Sequence, residues 1–97
     1  MSAVYLVVGL RAKPEKIDQV RSDLIEVVAP SRKESGCITY ELFQDQNDPS
    51  LFIFYEHWAS EKIRNIIIIL DHISKTFKKK AWVMLKNRIF HRLQALV

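Results

Sequence analysis

The order of hydrophobic patterns along this chain predicts an α+β fold with a four-stranded antiparallel sheet. Two β-branched and aromatic runs flank a polar Asn47-Asp48-Pro49 turn, which is typical of an antiparallel hairpin. An amphipathic helical pattern precedes this hairpin, and strand-like apolar patterns stand near both ends of the chain. The resulting order of elements is βαββαβ, the ferredoxin-like arrangement, in a single domain over residues 1–97.

The first strand and the first helix have the clearest periodicity. From Val4 to Leu10 both faces of the predicted strand are apolar, so we expect this strand to be covered on both sides. Pro14 suits the first turn of a helix, because the N–H that it lacks would be unpaired there anyway. The apolar stripe of that helix comprises Ile17, Val20, Leu24, Val27 and Val28.

Turn-forming residues predict where this helix ends and where the hairpin begins. Pro30 is expected to kink or end the helix. The segment from Ser31 to Glu34 has the Ser-x-x-Glu spacing of a capping box, which predicts one more short turn. Gly36 is then suited to be the left-handed residue that ends the helical region.

The segment from Ile63 to Ile73 is ambiguous between a strand and a helix. Four consecutive isoleucines favour a strand by propensity. Ser60 favours a helix, because it is a good N-cap residue and Glu61 follows it, and no turn residues are present that would let another strand pair. Residues 75–86 then predict a further helical segment, and Ile89 to Leu96 predicts the last strand.

One face of the predicted sheet has no element to cover it. Both helical regions pack on one side in this arrangement, yet the opposite face also carries large apolar side chains. An exposed apolar patch of several hundred Å² is unusual for a monomer. We therefore expect a homodimer in which two copies pack sheet against sheet.

Composition and charge exclude several classes of protein. The net charge is +4, but the excess lysine and arginine lies late in the chain without interleaved aromatic residues, so no nucleic-acid partner is expected. The longest apolar run, Ile66 to Leu70, is far too short to cross a membrane. The single cysteine, Cys37, fits a reducing compartment, and no signal peptide opens the chain. These features predict a cytoplasmic protein.

Several short motifs occur in an order and spacing that resemble a known family. They are Gly36-Cys37, Tyr40-Glu41, Asp45 with Pro49, Tyr55-Glu56-His57-Trp58, and Ser60-Glu61. Together they resemble the antibiotic biosynthesis monooxygenase domain family, whose members are small dimeric α+β barrels. Some members oxidise aromatic substrates without a metal or cofactor. The resemblance also favours the helix for the segment from Ile63 to Ile73.

The resemblance weakens after Ser60. Members of the family commonly carry one histidine nine residues beyond the tryptophan and another fourteen residues beyond it. In this chain the first of these positions is Ile67 and the second is His72. A related branch that opens haem would need a proximal histidine where this chain has Phe77, so haem degradation is not expected.

Three residues are candidate catalytic groups. His72 could transfer a proton near neutral pH, although it could also be a polar residue where a helix meets solvent. Trp58 could stack on a flat ligand and donate its indole N–H, or it could be a core residue. Tyr40 could hydrogen-bond a phenolate, or it could be a buried tyrosine with a backbone partner. The predicted substrate-binding residues are Leu6, Phe54, Ile66, Ile67 and Leu70.

Other polar residues on the predicted strands are weaker candidates. Glu41 and Glu56 are expected to face solvent or to pair with Arg11 or Arg92, although an inward carboxylate could act as a general base. His57 and His91 are expected to be polar residues on the strand surface. No metal-ligand spacing and no glycine-rich phosphate loop occur in the sequence.

Two functional hypotheses follow. The resemblance implies a cofactor-independent monooxygenase that acts on an aromatic substrate such as a quinol or an anthrone, with no cofactor required. The alternative is a non-catalytic dimeric module that binds a small apolar or aromatic ligand, and the replacement of a family histidine by Ile67 favours it. Whether the protein is an enzyme stays open at this point.

Overall fold

The computed structural model describes residues 3–59 and 85–97. Four strands form one sheet: β1 (Val4–Ala12), β2 (Cys37–Gln44), β3 (Leu51–Trp58) and β4 (Leu85–Leu93). Their order in the sheet is β2-β3-β1-β4, and every neighbouring pair is antiparallel. The predicted α+β class, the four-stranded antiparallel sheet and the ferredoxin-like strand order are confirmed.

A short 3₁₀ turn leads into the helix between β1 and β2. The turn spans Pro14–Lys16, and the helix, α1, spans Ile17–Arg32. The predicted stripe is confirmed, because Val20, Leu24 and Val27 are buried and the other two members pack partly against the core. The helix lies against the sheet on its β2 side.

The predicted end of the helix was wrong. α1 continues through Pro30 to Arg32, and the residue four positions before Pro30, Glu26, is exposed. Ser31 does not form the predicted capping box, because its hydroxyl donates to the Val27 carbonyl at 2.8 Å. Gly36 has a φ of 86°, which confirms the predicted left-handed residue.

The two faces of the sheet differ in burial. The face under α1, which we call the covered face, holds the core, with Leu6, Val8 and Leu10 of β1 beside inward residues of β2 and β3. The opposite face, which we call the open face, includes large apolar side chains that remain half exposed. These are Phe43 (51%), Ile89 (49%) and Leu93 (44%).

A β-bulge interrupts the start of β2. Cys37 lies opposite Trp58, but the next pair is Thr39 with His57, so two residues on β2 correspond to one on β3. The extra residue is Ile38, whose side chain is 56% exposed. From Thr39 onward the pairing is regular and brings Tyr40 opposite Glu56.

The last strand differs from its predicted bounds of Ile89 to Leu96. It begins at Leu85, because β1 extends to Ala12 and offers a partner to the earlier residues. It ends at Leu93, which pairs with Tyr5 close to the start of β1. Residues 85 and 86 are therefore strand rather than the end of a helix, and residues 94–96 are not strand. The predicted helices over 63–73 and 75–84 lie outside the described residues.

Candidate functional site

Three aromatic side chains meet on the covered face. Tyr40 comes from β2, and Phe54 and Trp58 come from β3, where alternation directs every second residue inward. The ring centroids of Tyr40 and Phe54 are 5.3 Å apart, and those of Tyr40 and Trp58 are 6.2 Å apart in an edge-on arrangement. All three side chains are buried, so they form one aromatic cluster.

A carboxyl group lies in the same row of side chains. Glu56 is opposite Tyr40 on one neighbouring strand and opposite Leu6 on the other, and its side chain is 0% exposed. Its Oε1 accepts a hydrogen bond from the indole Nε1 of Trp58 at 2.9 Å. The expectation that Glu56 faces solvent or pairs with an arginine was wrong, whereas Glu41 is exposed as expected.

Burial makes Glu56 an unusual acid. It raises the pKa of the carboxyl from an ordinary 4.5 to about 7, although the hydrogen bond from Trp58 acts in the opposite direction. Arg11, one of the expected partners, instead pairs with Asp48 in the hairpin turn. The carboxyl therefore titrates much nearer to neutral pH than an ordinary glutamate does.

Two buried polar atoms of this site have no hydrogen-bond partner among the described residues. They are the hydroxyl oxygen of Tyr40 and Oε2 of Glu56. Burial raises the pKa of Tyr40 well above its ordinary value, and the Glu56 carboxyl adds to that rise. A hydrogen bond from Ser31 would oppose the rise, but the Ser31 hydroxyl donates to the Val27 carbonyl instead. Tyr40 thus remains a neutral hydroxyl with a hydrogen to donate. Unsatisfied buried groups of this kind are uncommon in native proteins, so we expect a ligand or a water to bond to them.

The C-terminal end of α1 borders the site. Arg32 donates from Nε to the Tyr40 carbonyl at 2.9 Å and so joins the helix to β2. Cys37, opposite Trp58, is half buried, and burial followed by the Glu56 charge raises the pKa of its thiol, while Arg32 lowers it. A shallow groove at this edge is lined by Arg32, Cys37, Ile38, Thr39, Tyr40 and Glu41.

The predicted site residues divide into two groups. Tyr40, Trp58, Leu6 and Phe54 are all buried together on the covered face. The indole N–H of Trp58, which could have served a ligand, is already bonded to Glu56. The remaining predicted residues lie outside the described residues: His72, Ile66, Ile67 and Leu70.

Glu56 was only a weaker candidate from the sequence, although the sequence carries a signal for its burial. Phe52, Phe54 and Trp58 are inward residues of β3, and position 56 shares their alternation. On the open face His57 stacks on Tyr5 with ring centroids 4.2 Å apart, and its Nε2 is buried without a partner among the described residues. His91 is exposed.

Neither a metal centre nor a membrane-spanning helix occurs in the described part of the chain. Within residues 3–59 and 85–97, no three His, Cys, Asp or Glu side chains come together as a metal site would require. In that same part of the chain, no helix has the length and apolar character needed to cross a membrane.

Comparison with known proteins identifies the family. The family model described as antibiotic biosynthesis monooxygenase matches residues 3–62, which is more than half of the chain and includes β1, α1 and the β2–β3 hairpin. The chain belongs to the antibiotic biosynthesis monooxygenase family. The matched region contains Tyr40, Glu56 and Trp58.

Relatives and solved structures agree with that assignment. An uncharacterised protein of Synechocystis is 33% identical over 52 residues, which is 54% of this chain and 35% of that protein. YcnE of Bacillus subtilis, whose name assigns it only provisionally to the monooxygenases, is 31% identical over 58 residues, which is 60% of this chain and 61% of its own length. The match thus spans about a third of the length of the Synechocystis protein and about three fifths of the length of YcnE.

Two crystal structures superpose over nearly the whole chain. A Pseudomonas aeruginosa protein has a TM-score of 0.86 and 27% identity, and covers 100% of this chain and 97% of its own. A structure named as an antibiotic biosynthesis monooxygenase has a TM-score of 0.84 and 26% identity, and covers 97% of this chain and 99% of its own. Both therefore share the fold of this chain.

Proposed function

We propose that this protein is a cofactor-independent monooxygenase that oxidises an aromatic substrate of the quinol or anthrone type. Membership of the family supports oxygenation in general, and the site supports the class of substrate. The observation that carries the proposal is the Tyr40 hydroxyl, which is buried beside the rings of Phe54 and Trp58 and has no partner among the described residues. A flat aromatic ligand with an oxygen substituent complements both features.

The proposed reaction balances without a further reductant. A base removes a proton from the ring carbon of an anthrone, or from its enol hydroxyl, and leaves a delocalised anion. The anion passes one electron to O₂, and the two radicals combine to form a carbon–oxygen bond and, after proton uptake, a hydroperoxide. Cleavage of the O–O bond with loss of the remaining hydrogen on that carbon gives a ketone and one molecule of water.

The chain's own residues would act on the anion and its surroundings. The Tyr40 hydroxyl donates to the oxygen on which negative charge develops, and this stabilises the anion most when water is excluded. Phe54 and Leu6 contribute apolar walls, and Trp58 contributes an aromatic one. Ile66, Ile67 and Leu70 complete the pocket in this proposal, and His72 is a second group that would move a proton.

A second candidate function follows from one feature of the sequence. Ile67 stands where members of the family commonly have a histidine, and an aliphatic side chain carries no acid–base chemistry. In that case the protein would be a small-molecule binding module on the same scaffold. It would bind the same aromatic compounds without consuming O₂.

The test is O₂ uptake by the whole chain with anthrone and with 1,4-naphthohydroquinone, measured against the rate without protein. We expect uptake above autoxidation, a fall of about 10²-fold in Tyr40→Phe, because the donor to the anion is lost, and a fall in His72→Ala. Tyr55→Phe is the matched control, since Tyr55 lies on the same sheet with its side chain on the open face. It should retain wild-type uptake.

The outcomes separate the two candidates. Tyr40→Phe should fold normally, because the hydroxyl that it removes bonds to no described residue. Uptake that equals autoxidation for both compounds, with tight binding of either one, would support the binding module. Equal uptake by Tyr40→Phe and the wild type would remove Tyr40 from the site.

We further propose that a second copy of this chain covers the open face. The half-exposed side chains of Phe43, Ile89 and Leu93 come from two strands and present apolar area that association would remove from water. The unpaired Nε2 of His57 on the same face would gain access to a partner in such a dimer. A small single core also gains stability from association.

A further inference from the structure

The carboxyl group of Glu56 has no part in the steps assigned above to Tyr40 and the aromatic walls. Its two oxygens are not equivalent. Oε1 accepts from Trp58 at 2.9 Å, whereas Oε2 has no hydrogen-bond partner among the described residues, and the side chain is 0% exposed. Burying a carboxylate is costly, so an open oxygen at this depth asks for an explanation.

A structural ion pair does not provide that explanation within the described residues. Arg11 is paired with Asp48 in the hairpin turn, and Arg32 donates to the Tyr40 carbonyl. A metal site does not provide it either, since no cluster of metal-binding side chains includes Glu56 within residues 3–59 and 85–97. The remaining explanations are a water and a ligand that brings its own hydrogen-bond donor, and we argue the ligand.

The position of Tyr40 indicates what that ligand carries. Tyr40 and Glu56 are directly opposite each other on β2 and β3, and both side chains are on the covered face. Tyr40 offers a hydroxyl hydrogen, and Glu56 offers Oε2 as an acceptor. A phenolic hydroxyl complements both atoms, because it has a hydrogen to donate and lone pairs that accept.

We propose that Glu56 is the proton acceptor of this site: its Oε2 takes the hydroxyl proton of a phenolic or enolic ligand while Tyr40 donates to the ligand's oxygen. The ligand's O–H bond breaks, its electron pair stays on the ligand oxygen, and Glu56 becomes a neutral carboxylic acid. This inference rests on the proposed function, because it places the ligand in the same aromatic site. It restricts the substrate class to aromatic compounds with a free hydroxyl, so O-methylated analogues are excluded.

The electrostatics of the two groups agree with these roles. With a pKa raised from 4.5 to about 7, Glu56 is a stronger base than an ordinary carboxylate. The raised pKa of Tyr40 keeps its hydroxyl protonated, so it can only donate to the developing anion. A base whose pKa lies near the working pH is the efficient choice for proton transfer.

The test uses 2-naphthol, whose excited state releases its proton to an acceptor in contact with it and whose neutral and anionic forms emit at different wavelengths. The whole chain is saturated with 2-naphthol at pH 8, and the bound probe is excited where tryptophan does not absorb. We expect anion emission from the wild type and a ratio of anion to neutral emission at least tenfold lower in Glu56→Gln. The glutamine oxygen can still accept from Trp58, so the geometry is kept.

Glu41→Gln is the matched control, because Glu41 is an exposed carboxyl beside Tyr40 in sequence. It should show the wild-type emission ratio. In the wild type, anion emission should fall as the pH is lowered through about 7, since protonated Glu56 cannot take the proton of 2-naphthol. Neutral emission from the wild type at pH 8, an unchanged ratio in Glu56→Gln, or failure of 2-naphthol to bind would each overturn the inference.

This measurement consumes no O₂ and therefore fails independently of the proposed function. Anion emission that depends on Glu56, in a protein that shows no O₂ uptake, would leave the proton acceptor in place and remove the monooxygenase. O₂ uptake that is unchanged in Glu56→Gln would support the monooxygenase and reject Glu56 as its proton acceptor.

Discussion

Trp58 donates its indole N–H to Oε1 of Glu56 at 2.9 Å, from two positions further along the same strand. Residues two apart on a strand share a face, so β3 itself brings this donor and this acceptor together. The bond fixes the orientation of the carboxyl and leaves Oε2 as the oxygen that remains for other partners. Because the donor favours the charged form, it also limits how far burial raises the pKa of Glu56.

Replacing Glu56 by glutamine should stabilise the protein in alkaline solution. The folded state holds the Glu56 proton more tightly than the unfolded state, so wild-type stability is full below pH 4.5, falls as the pH rises towards 7, and stays reduced above it. The difference between a pKa of 4.5 and one of about 7 corresponds to a cost of about 3 kcal/mol at high pH. Glu56→Gln removes that cost but introduces the smaller cost of burying an amide, so the variant should be the more stable protein at high pH.

Urea unfolding at pH 5 and pH 8.5 measures this effect. The free energy of unfolding of Glu56→Gln should exceed that of the wild type more at pH 8.5 than at pH 5. Glu41→Gln removes an exposed carboxyl and should show no such divergence. An equal difference at both pH values would mean that the folded state does not raise the pKa of Glu56.

Replacing Trp58 by phenylalanine should raise the pKa of Glu56 above that of the wild type. The variant loses the N–H that stabilises the carboxylate while it keeps an aromatic ring in the core. Carbon-13 NMR titration of the Glu56 side-chain carboxyl measures the midpoint directly. A midpoint equal to that of the wild type would show that the indole does not contribute to the charge state.

Truncating the ring system in Trp58→Phe should also reduce the free energy of unfolding by about 1–3 kcal/mol.

The two glycines should respond differently to alanine. Gly36 has a φ of 86°, which L-residues rarely adopt, so Gly36→Ala should lower the free energy of unfolding by about 1–2 kcal/mol. At Gly9 an added Cβ would meet Ile53 at 3.5 Å and Ile89 at 3.6 Å, which are ordinary contact distances. Gly9→Ala should therefore retain nearly wild-type stability in the same thermal or urea unfolding measurement. Equal losses in both variants would contradict this explanation.

Charge on the open face should weaken self-association. Phe43 and Ile89 are 51% and 49% exposed, so the double variant Phe43→Lys with Ile89→Lys should fold but should resist burial against a second copy. Sedimentation equilibrium should give a dimer for the wild type and a monomer for the variant. Ile25→Lys on the exposed side of α1 is the control and should remain dimeric. A monomeric wild type at micromolar concentration would reject the proposed dimer.

The parts of the fold that the sequence predicted well are those set by local periodicity. The apolar stripe of α1 and the two strands of the hairpin depend on spacing within short segments, and the structure reproduces them. The bounds of β4 depend on how far β1 extends, which is a tertiary relationship that local patterns do not contain. The helix continued past Pro30 beside an exposed residue, Glu26, and that exposure likewise depends on the folded surroundings.

The candidate site was predictable only in part. Burial of Tyr40, Phe54 and Trp58 follows from their aromatic character and from strand alternation. Glu56 was expected at the surface because carboxylates are rarely buried, and this general tendency outweighed the alternation that placed it beside Trp58. The catalytic role of His72 remains a prediction, since that residue lies outside the described part of the chain.

The bulge at Ile38 sets the phase of the strand that carries Tyr40. Cys37 and Tyr40 are separated by an odd number of positions, so a regular strand would point their side chains in opposite directions. With the extra residue between them, both lie opposite inward residues of β3, Trp58 and Glu56. Regular pairing of all the residues here, Ile38 included, would turn either the thiol or the phenol away from the core. Deleting Ile38 would instead leave Cys37 and Tyr40 two positions apart, so both side chains would stay inward. A relative that lacks one residue at this position is therefore expected to keep the same two side chains in its core.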